Sequence, residues 1–304
     1  MAGRKMTAGC PDTAAACGAA GMPAGERAAP LLSGQEVSAF RSELWAFYRE
    51  HGRQLPWRHT DDPYRVLLSE LMLQQTQVVR VLPKFEAWLQ RFPDLRSLAE
   101  APLPDVLALW NGLGYNRRAI YLQKACREVL SRYGGVFPRT EADLRALPGI
   151  GPYTAGAVCA FAFNLPAVFV ETNIRAVFIQ RFFSDASEKV DDREILPLVA
   201  QTLDTENPRE WYYALMDYGA ELKRTVTNPT RRSRQYTRQS RFEGSFRQAR
   251  GAILRQLTRQ PSARLAEIAA AEGIELARIE AAARKLVQED IIRAEGSRFC
   301  IRQD

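Results

Sequence analysis

The sequence is poor in the residues that hold metals or disulfide frameworks. It has five cysteines, Cys10, Cys17, Cys126, Cys159 and Cys300. None forms a CxxC pair, so neither a zinc site nor a disulfide framework is indicated. No Cys occurs between Cys159 and Cys300. Cys126 and Cys159 sit in apolar helical stretches and read as core residues. The two histidines, His51 and His59, lie near a loop without a partner Cys, so no metal is expected. No apolar run reaches the ~18 residues of a membrane span. No segment alternates apolar and polar residues over a useful length, which leaves little room for sheet. Residues 1–34 contain 19 Ala, Gly or Pro and lack the continuous apolar segment of a signal peptide. A disordered tail on a cytoplasmic protein is expected.

What is present is basic and helical. Lys and Arg number 42 against 35 Asp and Glu, a net charge of +7 over 304 residues. That length can hold two domains, and that charge suits a polyanionic partner. From 35 to 222, apolar residues recur at helical spacing. Val106, Leu107, Leu109 and Trp110 form one stripe; Ile120, Ala125, Val129 and Leu130 belong to the next. Breakers separate them at Leu55-Pro56, Phe92-Pro93-Asp94, Gly134-Gly135 and Asn207-Pro208. The fold class is all-α, built of many short helices.

From 223 to 250 there are nine Lys or Arg against one acid, Glu243, with Tyr236, Phe242 and Phe246 interleaved. This composition suits a strand that tracks a DNA backbone and stacks on bases; a solvated linker remains the alternative. Arg231, Arg232 and Arg234 are its candidate phosphate contacts. Residues 251–304 form a third unit: a short helix over Ala252–Leu257, another over Ala263–Ala271, a turn at Gly273, a helix over Glu275–Gln288, and β-like pieces around Ile291-Ile292 and Phe299–Ile301. This small α+β unit resembles a winged helix. Its longer helix offers Arg278, Arg284 and Lys285 but also Glu275 and Glu280, so DNA reading and protein contact both stay open.

The string Leu147-Pro148-Gly149-Ile150-Gly151-Pro152-Tyr153-Thr154-Ala155-Gly156-Ala157 reads as helix, two-glycine turn, helix. Gly149 and Gly151 permit positive φ. The backbone amides at the following helix N-terminus can then hold a DNA phosphate. Twenty residues on comes Phe169-Val170-Glu171-Thr172-Asn173-Ile174-Arg175, an acid that ends an apolar run and opens another helix. A second cluster is Leu55-Pro56-Trp57-Arg58, Pro63-Tyr64 and Ser69-Glu70-Leu71-Met72-Leu73-Gln74-Gln75-Thr76-Gln77-Val78, with Trp110-Asn111-Gly112-Leu113-Gly114-Tyr115. The two-glycine turn and the acid after it resemble those of the helix-hairpin-helix DNA glycosylases, which cut a base from duplex DNA; that requires flipping the base out and filling the gap. Gln74, Gln75 and Tyr115 are the candidate fillers, since a planar amide or ring can replace a base. Cleaving the glycosidic bond puts positive charge on the sugar and negative charge on the base, so an anion and an acid are needed. Glu70, read as an acid just before an apolar helix, is a candidate for a raised pKa.

Together these motifs resemble the MutY-type adenine-DNA glycosylases of the helix-hairpin-helix superfamily, which remove adenine opposite oxidised guanine. The resemblance runs from about Trp45 to Glu221. It implies a two-lobed helical fold, double-stranded DNA carrying a mismatched or damaged base as partner, a monomer, and location at the nucleoid. It implies that Glu70 protonates the purine and later handles the water, and that Trp57, Arg58 and Tyr213 line the base pocket. Relatives that cut the backbone carry Lys at the position of Tyr153; tyrosine forms no Schiff base. Hydrolysis to an abasic site, without lyase activity, is therefore expected.

The sequence departs from the family at several places. Glu171 stands where the sugar-stabilising residue is normally Asp, one methylene shorter. Either the pocket has moved to suit it, or the reaction has changed, or activity is lost. Tyr213 stands where a Glu or Gln usually meets the base. The family's [4Fe–4S] cluster needs closely spaced Cys ligands from about Lys223 onward, and none is there, so no cofactor is expected. The winged-helix-like unit does not resemble the domain that inspects oxidised guanine. Adenine in a mismatch is the leading substrate. Uracil, thymine or hypoxanthine, or silent binding to distorted DNA, are the alternatives.

Overall fold

The computed structural model describes residues 31–302, so most of the tail expected over 1–34, with Cys10 and Cys17, lies outside the described residues. Side chains set the first helix starts. The Ser33 hydroxyl accepts from the Glu36 amide and the Glu36 carboxylate reaches back to the Ser33 amide, which opens α1 (Gly34–His51). Asp62 accepts from the Tyr64 amide, and Pro63 occupies the first helical position, which together open α2 (Pro63–Leu73).

One lobe consists of α2, α3 (Val78–Arg91), α4 (Leu95–Ala99), α5 (Leu103–Trp110), α6 (Arg117–Tyr133), α7 (Glu141–Ala146) and α8 (Pro152–Phe163). In it α2 lies against α3, α6 and α8. Its core is aromatic: Trp88 meets Phe92 and Trp110 edge-on, with ring centroids 5.3 and 5.4 Å apart. Burying each such ring contributes about 2–3 kcal/mol before entropy. The other lobe consists of α9 (Thr172–Phe182), α10 (Asp192–Thr202) and α11 (Pro208–Thr225), with α1 returning to pack on α10 and α11. Phe40 of α1 sits there among Phe178, Phe182 and Trp211. Gly219 lets α11 lie on the start of α9, since a Cβ there would come within 2.3 Å of the Asn173 carbonyl oxygen. That close crossing brings the middle of α11 to the start of α9, opposite α2 and α8.

The C-terminal unit is α12 (Phe246–Leu257), α13 (Leu265–Glu272), α14 (Leu276–Gln288) and the antiparallel pair β1 (Ile292–Glu295) and β2 (Arg298–Ile301). Ala263 adds an antiparallel bridge to Phe299. α12 starts six residues earlier than the sequence pattern suggests. Ser245 caps it by accepting from the Gln248 amide, and Gly251 sits inside the helix instead of breaking it. α12 also touches α5, so the unit docks on the first lobe.

The start of the basic stretch is not a solvated linker. Pro229–Arg232 form a helical turn, Thr230 and Ser233 are buried, and Ser233 pairs with Val190 in a parallel bridge. No helix among the described residues is long and apolar enough to cross a membrane.

Candidate active site

The two-glycine turn is built from α7 to α8. Gly149 has φ +76°, and a Cβ there would come within 2.4 Å of the Tyr121 Cβ. Only glycine fits on both counts. Gly151 corrects the sequence reading: its φ is −88°, so it supplies no positive φ. It is instead the N-cap of α8, with no side chain capping the helix and open space where a Cβ would be. The first-turn amides of α8 are thereby left to an outside acceptor, an arrangement suited to a phosphate.

α8 then carries Tyr153 to the cavity wall. Its phenol donates a hydrogen bond to Glu70 Oε2. Glu70 is 5% exposed. It lies inside α2, near its C-terminal end, and not ahead of a helix as the sequence reading had it. The helix dipole at that end disfavours an anion. Burial pushes the Glu70 carboxyl up to about 7; the Glu171 charge pushes the same way, while the Tyr153 hydrogen bond and Arg58 oppose it.

Glu171 is the N-cap of α9. Its Oε1 accepts from the amides of Asn173 at 2.5 Å and Ile174 at 2.9 Å, and its Oε2 lies 3.3 Å from Asn173 Nδ2. The extra methylene is thus used to fold the carboxylate back over the helix start. Burial raises its pKa, against the pull of the Ile174 amide, Lys223, the Asn173 amide and Arg175. Burial raises both carboxyls; Glu171 accepts from two helix amides and faces Lys223 and Arg175, while Glu70 accepts from the Tyr153 phenol and faces Arg58. Lys223, where the sequence suggested only a vanished cluster ligand, faces this carboxylate from the last turn of α11; burial lowers its pKa and Glu171 raises it.

Around these groups is a cavity of about 550 Å³, lined by α2, the start of α9, and α8 and α11. Trp57 packs edge-on against Phe85 at 5.4 Å. Arg58 is held by both oxygens of Asp217, at 2.8 and 2.7 Å, and Arg53 joins the same carboxylate at 2.6 Å. Arg58 then stands 4.5 Å over the Tyr213 ring, whose plane stacks on Phe161 at 4.8 Å. The base-pocket candidates Trp57, Arg58 and Tyr213 all line the cavity, and Arg58 and Tyr213 stack there. Asp217, which the motifs did not single out, holds Arg58 in that position. Deleting one partner of a buried pair such as Arg58–Asp217 costs about 3–5 kcal/mol.

Of the gap-filling candidates, Gln74 and Gln75 line the cavity. Gln74 Nε2 lies 3.4 Å from Thr154 Oγ1. Gln75 and Tyr115 are both exposed and both have positive φ, 54° and 48°. Arg118, which the motifs did not single out, fixes both loops. Its guanidinium donates to the carbonyls of Leu71 at 2.6 Å and Gln74 at 2.5 Å, and to those of Leu113 at 3.1 Å and Gly114 at 2.9 Å. Burial lowers its pKa to about 10.

The three arginines of the basic stretch do not share one role. Arg232 donates to the carbonyls of Phe183 and Ala186, just past α9. It is spent on the fold. Arg231 and Arg234 are exposed. The residues beyond α11 do not fit an iron–sulfur cluster: buried Thr230 and Ser233 fill the space, and the thiols among the described residues are buried in α6, α8 and β2. No group of three or more His, Cys, Asp or Glu among the described residues is placed to hold a metal.

Comparison with known proteins gives a consistent picture. Residues 68–197 match the family model of the HhH-GPD superfamily base excision DNA repair protein. The human adenine DNA glycosylase is 38% identical over 64% of this chain and 37% of its own length. That of Mycolicibacterium smegmatis is 40% identical over 59% of this chain and 62% of its own length. The chain thus spans less than two thirds of the length of these relatives. Among solved structures, a thermostable thymine-DNA glycosylase superposes with a TM-score of 0.57 at 28% identity, covering 61% of this chain and 87% of that one. An endonuclease III–DNA covalent intermediate, at 22% identity and TM-score 0.51 over 65% and 89%, shares the fold.

Proposed function

We propose that this chain, whose residues 68–197 match the HhH-GPD superfamily base excision DNA repair family, is a monofunctional DNA N-glycosylase that removes mismatched adenine from double-stranded DNA. It acts as a monomer at the nucleoid and uses no cofactor. The observation that carries this reading is a pair of buried carboxyls, Glu70 and Glu171, on one cavity with different hydrogen-bond partners. Glu70, with its pKa near 7, is substantially protonated at neutral pH and donates a proton to the departing base. Glu171, held by two helix amides, remains the anion beside the sugar as positive charge develops there. Water then attacks the sugar, giving its proton to the Glu70 carboxylate, and an abasic site is left. Tyr153 has no amine for a Schiff base; its part is to hold Glu70. Gln74, Gln75 and Tyr115 fill the gap in the stack, while the α8 amides beyond Gly149 and Gly151 grip a phosphate. Residues 251–304 act as an accessory unit docked beside the gap-filling loops.

A second reading, removal of thymine, is favoured by the likeness to the thermostable thymine-DNA glycosylase and by Tyr213 in the base wall. Single-turnover incubation with duplexes that each carry one mismatch or lesion, followed by alkali, separates the two. Strand breaks at adenine are expected. Breaks confined to thymine would establish the second reading, and binding without breaks would sink both.

A further inference from the structure

When a base is flipped into the cavity, its partner stays behind unpaired, and one side-chain cluster joins Gln75, on the cavity lining, to Tyr115. Gln75 and Tyr115 hold left-handed backbone conformations, which non-glycine residues keep only where their surroundings impose them. A third piece of chain reaches both. Gln239 Nε2 donates to the Tyr115 hydroxyl at 2.5 Å and lies 3.3 Å from Gln75 Oε1. Arg247, in the first turn of α12, donates to the same hydroxyl at 3.1 Å and stands 5.5 Å from the centre of that ring. Arg247 is in turn anchored on the Ser240 carbonyl at 2.7 Å. At the other end of α12, Asn111 Nδ2 donates to Thr258 Oγ1 at 3.0 Å. The loop that carries Tyr115 is therefore clasped by both ends of that helix.

We propose that Gln239 and Arg247 read the base left unpaired opposite the excised one, forming with Gln75 and Tyr115 a single polar platform. This rests on the reading of Gln75 and Tyr115 as gap fillers. Without DNA the four side chains satisfy one another. On insertion, the amide donors of Gln239 and the donor fork of Arg247 turn to the edge of the unpaired base. On the major-groove edge guanine and thymine present acceptors only, whereas adenine and cytosine present an amino donor, so a donor-rich pair suits guanine or thymine better. The segment that stands in place of a cluster loop thus supplies specificity for the opposite strand, and its reach explains why it returns to the first lobe.

The test uses binding alone. Duplexes carry a tetrahydrofuran abasic analogue, which cannot be cut, opposite each of the four bases. The full-length protein is expected to favour guanine and thymine opposite the analogue. Gln239→Ala and Arg247→Ala should each shrink that preference by about tenfold. Gln239→Ala should leave the salt dependence of affinity unchanged, because it removes no charge from the DNA contact. An absence of preference in the wild type, or the same preference in wild type and both variants, overturns the proposal. A Gln239-dependent preference in a protein that releases no base upholds it while refuting the glycosylase reading. Base release with a preference that ignores Gln239 does the reverse.

Discussion

Replacing Tyr153 with phenylalanine removes one hydrogen-bond donor and almost no volume, and the effect falls on Glu70. The phenol donates to the carboxylate, which favours the charged form. Its loss therefore raises the Glu70 pKa further. A hydrogen bond to an ionised group contributes about 1.5–3 kcal/mol, and one pKa unit corresponds to about 1.36 kcal/mol. The value should climb by about 1–2 units from its starting point of about 7. If protonated Glu70 drives base release, the alkaline limb of the rate profile has its midpoint near 7 in the wild type and about one to two units higher in Tyr153→Phe. Between about pH 6 and pH 8 the wild-type rate should fall about tenfold, and the variant's by about twofold or less. The ratio of the two rates within each protein cancels any uniform loss caused by the substitution. Single-turnover release of adenine, followed across that range, gives the midpoints. A midpoint that stays put or moves to lower pH in Tyr153→Phe would refute the coupling of Tyr153 to a catalytic Glu70.

Other substitutions probe other parts of the site. Glu70 carries a stability penalty that is absent below its ordinary value of 4.5 and grows as pH rises through about 7. Glu70→Gln should therefore raise the melting temperature by several degrees at about pH 8, reflecting about 3 kcal/mol, with no gain at about pH 4 and base release down at least about a hundredfold. Thermal melts at the two pH values check the first part. Glu171→Asp shortens the side chain that caps α9 and should slow base release by about a hundredfold; a faster variant would show Glu171 to be a misfit. Arg118→Met leaves carbonyls of both gap-filling loops without a donor, at a cost of about 3 kcal/mol, which chemical denaturation would register. Arg231→Ser with Arg234→Ser should lower the slope of log affinity against log salt by about 1.8 if both contact phosphates, while an unchanged slope places the basic footprint elsewhere.

The parts of the site that were legible in the sequence are those fixed by short-range chemistry. Glu171 opens a helix because an acid there meets unpaired amides. Gly149 is needed where the backbone passes close to Tyr121. The helical pattern and the C-terminal hairpin follow from periodicity and turn residues. Where a local signal had two meanings, the reading slipped. Asp62-Pro63 starts α2, so Glu70 falls seven residues inside a helix and owes its raised pKa to tertiary burial more than to position. Ser245 starts α12, ahead of Ala252 where the apolar pattern opens, and Gly251 is tolerated in mid-helix. Contacts between distant parts of the chain left no local trace. Arg118 gathers carbonyls from two loops, Asp217 clamps arginines more than 150 positions away, and Gln239 reaches residues 124 and 164 positions back. A basic, aromatic composition offered DNA contact as one reading of the segment but did not show that its Arg232 is committed to carbonyls or its Gln239 to Tyr115.

The most direct test is to incubate excess protein with a duplex carrying one mismatched adenine, and to measure free adenine by mass spectrometry alongside strand integrity. The expected result is stoichiometric release of adenine, a strand that stays intact until alkali is added, and loss of release in Glu70→Gln and in Glu171→Gln with DNA binding retained. Adenine release at the wild-type rate in both variants, or no free base from any duplex that the protein binds, would contradict hydrolysis by the Glu70–Glu171 pair.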